Sequence, residues 1–148
     1  MANSASLFNT VGRDYLDFWH DTDFQPRSVA QFLDLKNSEI AKIAGVAKSS
    51  VRFDHEIPHD VRERLEEIGN ICNLVAQYFE GDAAKTALWF RTQNPVLGEI
   101  SPRDMIRFGR YDKLRRFIIG AQTDRELDKK SKQRLVTNRS LNRTAPVY

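Results

Sequence analysis

The sequence predicts an all-α protein. Apolar residues recur at spacings of three and four along most of the chain, most persistently from Val61 to Phe79. No stretch alternates with period two for long enough to form a strand, and glycine or proline closes nearly every periodic segment. The expected organisation is a helical N-terminal half carrying a helix-turn-helix, joined by a long helix to a small helical C-terminal domain.

Leu7, Val11, Tyr15 and Phe18, with Phe8 and Trp19 alongside, form the first helical stripe, which Asp21 to Pro26 breaks. Ser28 is the expected N-cap of "VAQFLDL", whose Val29, Phe32 and Leu33 share a face. Asn37 or Ser38 caps "EIAKIA", with Glu39 early enough to favour the positive end of the helix dipole. Gly45 ends that helix, because glycine takes the left-handed conformation of a sharp stop. "AKSSVRFDHE" is then expected as a third short helix, halted before Pro58.

After Pro58 the residues Val61, Leu65, Ile68, Cys72, Val75 and Phe79 step by four and three, and Ile71, Leu74 and Tyr78 widen the stripe. This is a helix of about five turns with a broad buried face. "EGD" at 80–82 ends it, and "AAKTALWFRTQ" follows as another helix. "NPVLGEISP" is a loop by its Asn-Pro, Gly and Ser-Pro content. Ser101 caps a helix with Pro102 at its first position, and Gly109 ends it. The last helix begins near Tyr111 with Leu114, Phe117, Ile118 and Ala121 inward. Beyond Asp128 the apolar residues thin to Leu135, Val136, Leu141 and Val147 without a stripe, which predicts a weakly ordered tail. The segments are therefore 1–57, 58–82 (a connecting or dimerising helix), 83–128 and 129–148.

Composition narrows the function. A chain of 148 residues, 41% hydrophobic and 29% charged, has the balance of a soluble globular protein. It has no apolar run near the roughly 20 residues of a membrane span. One cysteine permits no internal disulfide, and the first residues carry no export signal, so the expected location is cytoplasmic. Six basic residues and no acidic one follow position 128. With a net charge of +3, the first 128 residues therefore sum to −3. Any DNA contact must be local.

Catalysis has little support. His20, His55 and His59 are scattered, and Pro58 interrupts the helical face that a His55/His59 metal pair would need. Cys72 lies on the inward stripe of the long helix, the place of a core residue rather than a nucleophile. No glycine-rich phosphate cradle is present. We expect no enzyme, no cofactor and no metal.

"NSEIAKIAGVAKSSVRF" at 37–53 has the small–glycine–aliphatic spacing of a helix-turn-helix: Ala41, Gly45 and Val46, flanked by Ile40 and Val51. Lys48, Ser49, Ser50 and Arg52 would then offer a basic, hydroxyl-bearing surface for phosphates and base edges. An ordinary helical corner with a solvated face fits the same residues. Asp54 is an unhelpful charge beside phosphate.

A second stretch carries a resemblance. Asn94-Pro95-x-Leu97-Gly98, then Ser101-Pro102-x-Asp104-Met105-Ile106, then Gly109, resembles the toxin-binding domain of the Xre/MbcA/ParS antitoxins. "AKTALWFRTQ" resembles the helix leading into that motif, and residues 28–57 resemble the Xre-type helix-turn-helix; together the likeness covers about 28–121. The resemblance implies the antitoxin of a type II toxin–antitoxin pair. Such a protein blocks a cognate toxin of the RES or ADP-ribosyltransferase-like type with its C-terminal domain and represses its operon, commonly as a homodimer bound to operator DNA. Candidate toxin-binding residues are Asn94, Pro95, Leu97, Gly98, Ser101, Pro102, Arg107 and Arg110. Leu97, Ile100, Met105 and Phe108 are candidate apolar anchors, with core packing as the competing role for Met105 and Ile106. Arg115 and Arg116 add cations. Two alternatives stay open: a helix-turn-helix regulator without a toxin partner, and a toxin neutraliser without DNA binding.

Overall fold

A computed structural model describes residues 13–143, with side chains through Ser131 apart from Glu126 and Lys129. It is mostly helical, as expected. A two-strand hairpin, β1 (Trp19–His20) and β2 (Asp23–Phe24), precedes α1 (Pro26–Phe32) and α2 (Asn37–Ala44). A 3-10 turn (Lys48–Ser50) leads to α3 (His59–Tyr78) and α4 (Ala83–Arg91). A second 3-10 turn (Pro95–Leu97) leads to α5 (Pro102–Arg107) and α6 (Tyr111–Arg143).

The chain divides into two compact units after Arg115. In the first unit α3 is the centre. It buries Val61, Leu65, Ile68, Ile71, Cys72 and Leu74 among its residues, and it packs against α1, α2 and α4. The helix expected to connect two halves or to dimerise thus carries much of the core of the first unit. α5 in turn touches both α2 and α4. A ladder of edge-to-face rings runs from Phe18 through Phe32 to Phe90, at centroid separations of 5.8 and 6.3 Å. Gly69 lets α3 approach its neighbours closely: a Cβ there would lie 3.0 Å from Val29 Cγ2 and 3.3 Å from Phe18 Cδ2. The second unit, from Arg116, consists among the described residues of the remainder of α6.

Several elements differ from expectation, each for a local reason. The first helical stripe is not helical over its described part; Leu7, Phe8 and Val11 lie outside the described residues. Asp14 competes with the helix by taking backbone donors for itself. Its Oδ1 accepts from Phe18 N at 3.0 Å and its Oδ2 from Trp19 N at 2.8 Å. Asn73, buried on α3, fastens the turn by donating to Asp14 Oδ1 and accepting from Leu16 N, both at 3.0 Å.

α1 starts at Pro26 rather than after Ser28, because proline suits the first helical position. The cap of α2 is neither Asn37 nor Ser38: the helix opens after Lys36, whose backbone N–H donates to Glu39 Oε1 at 3.0 Å. Tyr78, expected inward, is 53% exposed, and Ala121 is exposed as well, whereas Leu114 and Ile118 are buried. The tail expected to be weakly ordered is helical through Arg143, since 129–143 contain no glycine or proline to stop α6. Residues 144–148 lie outside the described set.

Candidate functional site

The helix-turn-helix hinge forms in part. Gly45 has φ +71° and caps α2, with Val46 N donating to Ala41 O at 3.0 Å. Ile40, Ala41 and Val51 are buried around it. The recognition helix does not follow. Only Lys48–Ser50 make a single 3-10 turn, and Val51 is extended at φ −77°, ψ 110°. The serines and β-branched Val51 favour this over helix, and Asp54 closes a turn of its own by accepting from Glu56 N at 3.0 Å. Lys48 and Ser49 are exposed, Ser50 half-buried. Arg52 is committed to carboxylates, 3.3 Å from Asp54 and 3.0 Å from Glu56. The residues assembled for phosphate contact therefore present one cation with no charged partner among the described residues, Lys48. His55 and His59, also here, are exposed, and His59 Nε2 lies 3.2 Å from Glu63.

The stretch 94–100 is a closed ring. Asn94 N donates to Ile100 O at 3.1 Å, and Asn94 O accepts from Leu97 N at 3.0 Å and Glu99 N at 3.1 Å. Asn94 Oδ1 accepts from Val96 N at 3.0 Å, and Gly98 N donates to Pro95 O at 3.2 Å. Gly98 and Glu99 are consecutive left-handed residues, at φ +87° and +62°. Glycine takes that conformation freely, while a side-chain-bearing residue is strained by roughly 1 kcal/mol there. Pro95, Val96, Gly98 and Glu99 are exposed, Leu97 and Ile100 half-buried. Val96 is 75% exposed, the largest value among the exposed large hydrophobic side chains described. Sequence reasoning passed over it; its place at the centre of a five-hydrogen-bond ring was the missing signal.

The other candidates separate into scaffold and surface. Ser101 is buried and caps α5, its Oγ accepting from Asp104 N at 3.1 Å. Pro102 is buried at the first position of α5, and Met105 and Ile106 are core. None of the four offers a docking surface. Phe108 is 52% exposed, with Lys42 Nζ 5.9 Å from its ring centroid, and Arg110 is exposed. Arg107 is occupied: its Nη1 lies 2.8 Å from Asp104 Oδ1 and its Nε donates to Glu39 Oε2. Arg103, not singled out from the sequence, donates to the carbonyls of Leu33 and Asp34 and so caps the end of α1, where cationic charge is favoured. Both arginines bind α5 to the front of the chain. Arg115 pairs weakly with Asp112 at 3.8 Å, and Arg116 is exposed. Cys72 is fully buried, and desolvation pushes its thiol well above the ordinary value.

Compared with family models, curated proteins and solved structures, the chain has no match in any of the three.

Proposed function

We propose that this protein is the antitoxin of a toxin–antitoxin pair, and that it neutralises its partner by docking the 94–100 ring into the toxin's cleft. The resemblance of the Asn94 to Gly109 motif supplies the idea. One observation carries it: a rigid, hydrogen-bonded loop presents a bare apolar side chain, Val96, to solvent. An interface needs an anchor preorganised on a fixed backbone with polar groups around it, and the hydrogen bonds of the ring fix the backbone that carries Val96. Leu97 broadens the anchor, and Arg110 and Glu99 lie at its margin in sequence. The class of partner expected is a RES or ADP-ribosyltransferase-like toxin, and the protein itself has no catalytic role. Growth rescue tests this: cells expressing the polypeptide encoded beside this one should survive with the wild-type chain and die with Val96→Asp. Equal rescue by both removes the ring from the interface.

Operator recognition through Lys48, Ser49, Ser50 and Arg52, as a homodimer, is the second reading. The left-handed Gly45 hinge and the exposed Lys48 and Ser49 favour it. The single 3-10 turn and the ion pairs of Arg52 disfavour it, because reading a major groove calls for an α-helix or ribbon and free donors. Of the two binding roles, toxin neutralisation is the better supported.

A further inference from the structure

Helicity through Arg143 puts four of the six basic residues after Asp128 into register, with Lys130 and Arg134 outside the stripe. Lys129, Lys132, Val136, Arg139 and Arg143 step by three and four residues along α6. At 100° per residue they occupy one arc of roughly 80°, and at 1.5 Å rise they extend about 21 Å along the axis. Four of the five positions are cationic, and no acidic residue follows Asp128. The macrodipole does not account for this stripe: it favours cations only in the last turn, and Lys129 and Lys132 lie well before it.

We propose that residues 129–143 are a nucleic-acid-binding arm whose basic stripe grips the phosphate backbone of duplex DNA. Charge complementarity selects the partner. A duplex carries one negative charge per ~1.7 Å of axis, so a 21 Å line of four cations meets phosphates along its whole length and releases their counterions. Embedding the helix in an anionic membrane would require a broad apolar face opposite the charges. Here Leu135, Val136 and Leu141 are separated around the helix by roughly 100° or more, and no such face exists. A protein partner would need an apolar anchor, which the same scatter denies. The contact is independent of base sequence, because phosphate contacts position a protein without specifying a site. It is also independent of the toxin reading and of the 48–52 turn.

The test uses the full chain and a fluorescein-labelled 20-base-pair duplex of arbitrary sequence, read by anisotropy. Four neutralised phosphates predict a slope of log affinity on log salt of about −3.6, or a loss of roughly 150-fold between 50 and 200 mM. Replacing Lys129, Lys132, Arg139 and Arg143 by Gln should abolish retention at 50 mM salt. Lys132→Gln with Arg139→Gln removes two cations from the arc and should halve the slope to about −1.8, while Lys130→Gln with Arg134→Gln, which removes as much charge from outside it, should leave the slope unchanged. Lys48→Gln with Arg52→Gln should leave the slope unchanged. The proposal is overturned by no retention of the wild type, by equal affinity in the neutralised chain, by equal slopes in the Lys132/Arg139 and Lys130/Arg134 variants, by loss of binding in the Lys48/Arg52 variant, or by tighter binding to phosphatidylserine vesicles than to the duplex.

Discussion

Single residues decide how tightly the centre of the fold is held. Gly69 occupies a helix interior, where alanine would ordinarily gain about 1 kcal/mol. The methyl would press on Val29 and Phe18, both fully buried and unable to withdraw. Overpacking wins, and Gly69→Ala should lose about 1–2 kcal/mol in urea unfolding. Asn73 is a more specific test of the N-terminal turn. Asn73→Ala strands Leu16 N–H and removes a donor from Asp14, at a cost of about 2–3 kcal/mol by the same measurement. Glu66 offers a charge test. Burial raises its carboxyl above the ordinary value, against the pull of Arg62 and with help from Glu63 and Glu67. The folded chain then holds this proton to higher pH than the unfolded chain, so stability falls as pH rises through that interval and stays reduced above it. Glu66→Gln should therefore raise Tm at pH 7, with the gain shrinking toward pH 4.

At the scale of elements, α5 is a bolt. Arg103 caps α1, and Arg107 joins Glu39 at the start of α2. Arg107→Ala should cost about 1–3 kcal/mol, because Glu39 is only 12% exposed and loses its countercharge. Arg110→Ala, on an exposed residue, should change stability by less than about 0.5 kcal/mol. Thermal melts of the two variants separate a structural arginine from a surface one, which their sequence neighbourhood does not. The helix ends were legible where one residue type dominates the physics: Gly45, Ser101–Pro102 and Gly109 all terminate or open helices as their chemistry dictates. The 48–57 stretch was not. Its apolar spacing suits a helix, but Asp54 and its hydrogen bonds compete on equal terms, and spacing does not register side chains that bond their own backbone. The same cause hid the Asp14 turn.

For the molecule as a whole, the loop at 94–100 was legible in outline and the packing of the chain's front against its back was not. Asn94 and Gly98 do shape an exposed loop, yet half of the motif, from Ser101 to Ile106, serves the core. Val96, which no periodicity marks, is the most exposed of the large hydrophobic side chains described. The two halves expected to act separately are fastened within the unit ending at Arg115, because α5 contacts α2 and α4. Among the described residues no helix is long and apolar enough to cross a membrane. Charge is arranged unequally, with a net negative body before position 129 and a positive stretch after it.

The central claim is that Val96 anchors a partner protein. Titration calorimetry of the purified chain against the polypeptide encoded beside it measures this directly. The account predicts saturable binding by the wild type and a loss of about 30-fold or more for Val96→Asp, the weight of an interface hot spot, with Tm unchanged because the side chain is solvent-exposed. No heat of binding from the wild type, or equal affinity in the two proteins, would contradict it.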